Sequence, residues 1–160
     1  MGAVPLVRCA QQRVHRIRPD GVVENYGIDA GFPSFSDEVF FEDRQGRIWM
    51  GPRGGLIEID PNPRPGRKLV LRRVDTLFGA SENIIEGICQ TPDDHLWLAS
   101  ESGLLEYSGA LVRRFTKRNG LSQYQIYSVL PRSRRKFVGR HVWLGGDASQ
   151  PVWLHQLWGR

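Results

Sequence analysis

The sequence predicts an all-β chain assembled from repeated four-stranded antiparallel sheets, and three observations carry that prediction. First, a tryptophan between apolar residues recurs in Arg47-Ile48-Trp49-Met50-Gly51, His95-Leu96-Trp97-Leu98-Ala99 and His141-Val142-Trp143-Leu144-Gly145. Trp97 follows Trp49 by 48 residues and Trp143 follows Trp97 by 46, a period that suits a four-stranded propeller blade and exceeds most helical or leucine-rich repeats. Second, other positions keep that period. Gly55-Leu56 and Gly103-Leu104 place a leucine seven residues after the tryptophan, and Ile59, Tyr107 and Trp153 lie ten after it. Tyr26 and Val74 each lie 23 residues before a tryptophan, while Phe115 lies 28 before Trp143, the surplus falling in Pro131–Arg140, where a surface loop absorbs it. Third, apolar runs of strand length are divided by Gly, Pro, Asp or Asn at roughly ten-residue intervals, and no window has a helical period. The expected fold is a partial β-propeller with about three blades' worth of strands.

Taken in order, residues 1–12 read as an irregular N-terminus, and residues 13–30 as a partial blade in which Val14–Arg18 and Val22–Tyr26 are strands C and D without an inner half. A blade over 31–78 holds strand A at Asp37–Glu42, B at Arg47–Gly51, C at Gly55–Asp60 and D at Lys68–Val74, with Pro61-Asn62-Pro63-Arg64-Pro65-Gly66 as its C–D loop. A second blade over 79–118 repeats the pattern at Ile84–Gln90, His95–Ser100, Gly103–Tyr107 and Leu111–Thr116. In 119–147 a further partial blade supplies A at Gln125–Leu130 and B at His141–Gly145. Residues 148–160 read as an atypical tail, because Pro151-Val152-Trp153-Leu154-His155-Gln156-Leu157-Trp158 stands where the Gly-Leu step belongs. Propellers close with about four to eight blades, so this chain is expected not to close alone. It reads as a fragment, truncated or frameshifted, whose open strand edges would pair with further blades or another protomer.

Composition narrows the function classes without choosing among them. With 18 Gly, 10 Pro and 40% apolar residues in 160, the chain has the make-up of a β-rich globular protein. No run of about 18 apolar residues suggests a transmembrane helix, and Met1-Gly2-Ala3-Val4-Pro5-Leu6-Val7-Arg8-Cys9 is too short and broken for a signal peptide. Cys9 and Cys89 give neither a disulfide framework nor metal spacing; Cys89 is expected in the core and Cys9 as a free thiol, and no cofactor is expected. The net charge of +5 has its densest source in Arg132, Arg134, Arg135, Lys136 and Arg140. No aromatic platform accompanies that run, so it reads as a solvated loop and not as a nucleic-acid interface.

Gly31-Phe32-Pro33-Ser34, followed by Phe40-Phe41-Glu42-Asp43-Arg44-Gln45-Gly46-Arg47-Ile48-Trp49-Met50-Gly51 and Gly54-Gly55-Leu56-Ile57-Glu58-Ile59-Asp60, closely resembles the two-component regulator propeller repeat. The copy Cys89-Gln90-Thr91-Pro92-Asp93-Asp94-His95-Leu96-Trp97-Leu98-Ala99 with Gly103-Leu104-Leu105-Glu106-Tyr107 resembles it more loosely. A third begins at Phe115-Thr116, Asn119-Gly120-Leu121-Ser122 and Gln125–Leu130, then departs where Pro131–Arg140 replaces the acidic turn. The resemblance spans about residues 13 to 147. It implies a bacterial sensor whose periplasmic or otherwise extracytoplasmic propellers recognise a ligand, often a carbohydrate, and relay binding across a membrane helix to a histidine kinase or other output domain. The chain itself has no phosphoacceptor segment, no glycine-rich ATP lid and no receiver domain, so it is not expected to phosphorylate or to catalyse.

Blade geometry then nominates residues. If A is innermost and strands alternate in direction, the B–C loops and the D-to-A connections share one rim, where a rigid scaffold presents recognition side chains. Arg53, Glu101 and Asp147 each stand four residues after a repeat tryptophan on the B–C loop; Phe35, Ser81, Glu82, Asn119, Gln123 and Tyr124 lie in the inter-blade connections. An aromatic face beside carboxylates and amides suits a sugar or other small polar ligand. Charged loop residues are also commonly just solvated. Trp49, Trp97 and Trp143 are expected as core between sheets. His95 and His141 share a strand B position that Arg47 occupies in the first blade, so they are expected as surface histidines and not as metal ligands. Glu42-Asp43, which could offer paired carboxylates for acid–base work, is expected to organise the A–B turn. Two other functions remain: Val14-His15-Arg16-Ile17-Arg18-Pro19-Asp20-Gly21-Val22-Val23-Glu24-Asn25-Tyr26 resembles a repeat of streptogramin lyases, though no matching His and Glu pair recurs later, and propellers also serve as protein-interaction scaffolds.

Overall fold

The computed structural model describes residues 6–9, 13–32, 39–64, 68–74 and 84–131. Three antiparallel sheets are built from them. Sheet I comprises β1 (Leu6–Cys9), β2 (Arg13–Ile17) and β3 (Val23–Tyr26). Sheet II comprises β4 (Val39–Glu42), β5 (Ile48–Gly51), β6 (Ile57–Ile59) and β7 (Val70–Arg73). Sheet III comprises β8 (Ile85–Gln90), β9 (Leu96–Ser100), β10 (Gly103–Tyr107) and β11 (Val112–Phe115). Each is a meander in which neighbours along the chain are neighbours in the sheet. Strands β4 and β8 lie against each other, so they are the inner strands of their blades, while β7 and β11 are the outer edges. Sheets II and III are thus two complete four-stranded blades, and the fold is the partial β-propeller that the sequence predicts.

Two expectations need correction. Leu6–Cys9, read as irregular, pairs with β2 from Leu6↔Arg16 to Cys9↔Arg13, so sheet I is not confined to two outer strands. A four-residue strand beside Pro5 has no internal signature; its partner's register defines it. Gln125–Leu130, expected as an inner strand, joins no strand ladder among the described residues, with only Pro131 in an isolated bridge. Its expected partner, His141–Gly145, lies outside the described residues.

Alternation along the strands sorts side chains into three layers. Between sheets II and III, Trp49, Leu56 and Val74 meet Ile85, Ile88, Leu96, Leu98, Leu105 and Tyr107. Met50, one residue after Trp49, turns to the opposite face and packs with Val14, Ala30, Phe32, Ile57, Ile59 and Leu69 against sheet I. On the far face of sheet III, Trp97, Ala99 and Leu104, with Phe115 beside them, cover Leu121, Ile126 and Val129. The repeat positions therefore have fixed facings. Trp49 and Trp97, with Leu56 and Leu104 seven residues later and with Val74 and Phe115, look toward the following blade, whereas Ile59 and Tyr107 look back. Trp49 meets Tyr107 edge-on, with centroids 5.8 Å apart, and Trp97 stacks on Phe115 at 5.6 Å, both favourable aromatic geometries.

Each indole is also tied to the turn before it. Trp49 Nε1 donates to Asp43 Oδ2 at 2.8 Å, and Trp97 Nε1 to Thr91 Oγ1 at 3.1 Å. Asp43 and Thr91 occupy equivalent A–B turn positions, and their backbone N–H groups donate to Arg47 O and His95 O, both at 3.0 Å. The left-handed residue closing these turns is Gly46 in one blade and Asp94 in the other, at φ 74° and 65°. Asp94 tolerates that region better than most residues and is anchored there by Arg44 and Gln45 of the neighbouring blade, each 2.9 Å from its Oδ1. Gln90 completes this link between blades, accepting from Arg44 N at 2.8 Å and donating to Gln45 Oε1 at 3.0 Å.

Asp43 also accepts from Gln45 N, Arg47 N and Arg47 Nε at 3.0, 2.9 and 2.6 Å, with its side chain fully shielded from solvent. Burial alone would raise its pKa, but the hydrogen bonds from Trp49 and Arg47, with the Arg47 charge, hold it below the usual carboxylate value. A depressed folded pKa stabilises the protein above about pH 4, the unfolded value, and that contribution is lost as pH falls through the folded one. Asp43→Asn should therefore cost about 1–3 kcal/mol at neutral pH and flatten the acid limb of stability, measured by urea unfolding between about pH 2 and 7. An unchanged acid limb would remove Asp43 from this role.

Gly51 is fixed by contact. A Cβ there would lie 2.8 Å from Ile85 Cβ, so Gly51→Ala should wedge sheets II and III apart at a cost of about 1–3 kcal/mol. Chemical denaturation of this variant beside Gly46→Ala, whose Cβ would meet nothing within 4 Å but whose φ is strained, separates the steric cost from the conformational one.

Candidate functional site

Strand direction places the β5–β6 and β9–β10 turns and the connection after β11 on one rim. Arg53 is the exposed residue of the turn Pro52-Arg53-Gly54-Gly55, closed by Gly55 N donating to Pro52 O at 3.3 Å and by Gly54 at φ 89°. Glu101 occupies the equivalent β9–β10 turn; its N–H donates to Ile84 O at 3.3 Å, just before inner strand β8. Ser100 O accepts from Ile126 N at 2.9 Å, drawing the connection after β11 against the same turn. Glu101, Gln123 and Tyr124, all exposed, thus belong to segments that meet on this rim, with Arg53 one blade away.

The connection after β11 is held firmly. Thr116 and Asn119 form a reciprocal cap around the 3-10 turn Lys117–Asn119: Thr116 N donates to Asn119 Oδ1 at 3.0 Å and Arg118 N to Thr116 Oγ1 at 3.3 Å. Gly120, at φ 98°, ends that turn, and Leu121 and Ile126 are buried against sheet III. Ser122, Gln123, Tyr124 and Gln125 are left facing outward. Asn119 thus spends its carbonyl oxygen on the cap. Tyr124 is half exposed, and Lys117 Nζ sits 5.1 Å from its ring centroid, a cation–π distance. Lys117 was not among the residues nominated from sequence; its only signal is the Lys117-Arg118 pair directly before Asn119.

Phe35, Ser81, Glu82 and Asp147 lie outside the described residues, as do Trp143, His141 and the basic run from Arg132 to Arg140. His95, expected as a surface side chain, is half-buried: its Nδ1 lies 2.7 Å from Oε1 of Glu106, a carboxylate only 1% exposed whose other oxygen accepts from Arg113 Nε at 2.7 Å. The equivalent trio in sheet II is Arg47, Glu58 and Arg72, with Arg72 Nη2 3.0 Å from Glu58 and both arginines over the Trp49 ring at 5.2 and 5.4 Å. These clusters roof the inter-blade layers and do not converge on a ligand. Among the described residues, no three His, Cys, Asp or Glu side chains are grouped to hold a metal ion, and no helix is long and apolar enough to cross a membrane. Cys89 is a buried thiol whose pKa burial pushes up to about 12, far from the thiolate a nucleophile needs.

No protein-family model and no curated protein matches the chain. Solved structures do. The extracellular domain of BT4673 from B. thetaiotaomicron matches in two determinations, one described as part of a one component system and one as part of a hybrid two component system. Their TM-score is 0.56, with 17% and 18% identity over 90% and 89% of this chain. The extracellular domain of the hybrid two component system BT3049 from the same organism matches with a TM-score of 0.53 and 17% identity over 88% of this chain. In every case the chain spans about a fifth of the length of the structure it matches. At these identities the likeness is one of fold: the chain has the blade architecture of these extracellular domains.

Proposed function

We propose that this chain is a ligand-sensing propeller segment of a two-component signal-transduction regulator, located outside the cytoplasm and without catalysis of its own. The observation that carries this reading is the likeness, over about nine-tenths of the chain, to extracellular domains described as parts of hybrid two component systems. The rim supports it. Glu101, Gln123 and Tyr124 offer a carboxylate, an amide and an aromatic face on a scaffold whose opposite rim is locked by Arg44, Gln45, Gln90 and Asp94. Such a combination accepts the hydroxyls and C–H faces of a glycan or another small polar molecule. The partners on this reading are that ligand and, at open strand edges, further blades or another protomer. Contact with a membrane would come only through other parts of a longer protein.

Thermal-shift measurements of the chain against a panel of oligosaccharides should give a saturable rise in Tm for at least one of them. Glu101→Gln combined with Gln123→Ala should weaken that binding by about tenfold while leaving the unliganded Tm within about a degree, both residues being exposed. A stable complex with a protein, together with indifference to every glycan, would replace sensing with a scaffold role.

A further inference from the structure

Resting on that ligand-sensing reading, we propose that the platform of Lys117, Arg118, Gln123 and Tyr124, beside Glu101, takes a carboxylated saccharide in preference to a neutral one. A neutral sugar needs only hydroxyl partners and an aromatic face, which Gln123, Glu101 and Tyr124 already supply. The structure adds one cation at that ring and a second directly after it in the chain. Lys117 Nζ lies 5.1 Å from the Tyr124 centroid, which puts its charge beside the stacking surface. Arg118 follows it in the same capped 3-10 turn and is exposed; its planar guanidinium matches a carboxylate with two parallel donors.

The platform is preorganised. Leu121 N donates to Thr116 O at 3.2 Å and Ile126 N to Ser100 O at 2.9 Å, and both side chains are buried. Ligand binding then orders little of the backbone, and a tyrosine with two side-chain torsions loses little freedom when a sugar stacks on it. Because both cations are near solvent, each contributes modestly and its effect weakens with salt.

The test is calorimetric titration of the 160-residue chain with trigalacturonate and with a neutral galactose trisaccharide, for the wild type and for Lys117→Gln combined with Arg118→Gln. The acidic trisaccharide should bind about tenfold tighter at low salt, and that advantage should disappear in the double variant and shrink at about 0.5 M salt. Equal or tighter binding of the neutral sugar, or an unchanged preference in the double variant, overturns the acidic specificity and leaves ligand sensing standing. If neither trisaccharide binds but a neutral glycan of the panel does, the acidic specificity is again overturned. Failure of every glycan overturns both readings.

Discussion

The indole of Trp49 is buried between two sheets, and its one polar atom is answered by the carboxylate that opens the preceding turn, 2.8 Å away. Trp97 repeats the arrangement with Thr91 as the acceptor. A buried indole N–H without a partner would cost a few kcal/mol, so the turn residue and the tryptophan depend on each other. The pairing aims the ring at the following blade and fixes the tight A–B turn, and from that turn the register of the first two strands follows. The next layer depends on it in the same way, since Leu56 and Val74 pack beside Trp49, and Leu104 and Phe115 beside Trp97.

Polar groups close these layers from outside. Glu106, between His95 and Arg113, and Glu58, beside Arg72, lie cross-strand from the tryptophans. Breaking one partner of such a shielded carboxylate leaves an uncompensated charge, which ties the edge strands to the blade centre.

The two rims have different characters for a physical reason. On the A–B side, Gln90 and Asp94 of one blade are hydrogen-bonded to Arg44 and Gln45 of the next, so the side chains there are spent on holding blades together. On the B–C side main-chain bonds do the holding: Glu101 N to Ile84 O within sheet III, and Ile126 N to Ser100 O between sheet III and the segment after β11. Side chains such as Gln123 and Tyr124 are thereby released to face solvent, and recognition is expected where the scaffold is already satisfied by main-chain bonds.

The repeat was legible from residues alone because each blade must place a large side chain at the same strand position to fill the same gap. The spacing of Trp49 and Trp97 and the Gly-Leu steps at Gly55 and Gly103 determined the blade period and the strand order within a blade. Strand β1 was not legible, since four residues carry no period of their own and pairing with β2 defines them. The role of Asn119 was not legible either: a rim asparagine looks the same whether it caps a turn or meets a ligand, and only its bond to Thr116 N decides. Nor could sequence place Lys117 over Tyr124, seven residues on, because the intervening turn brings them together only once Leu121 is buried. Local sequence thus determined what each strand must bury, a matter of side-chain size and period. Tertiary structure alone decided which polar groups find partners across blades and which are left to face a ligand, because those partners are distant in the chain.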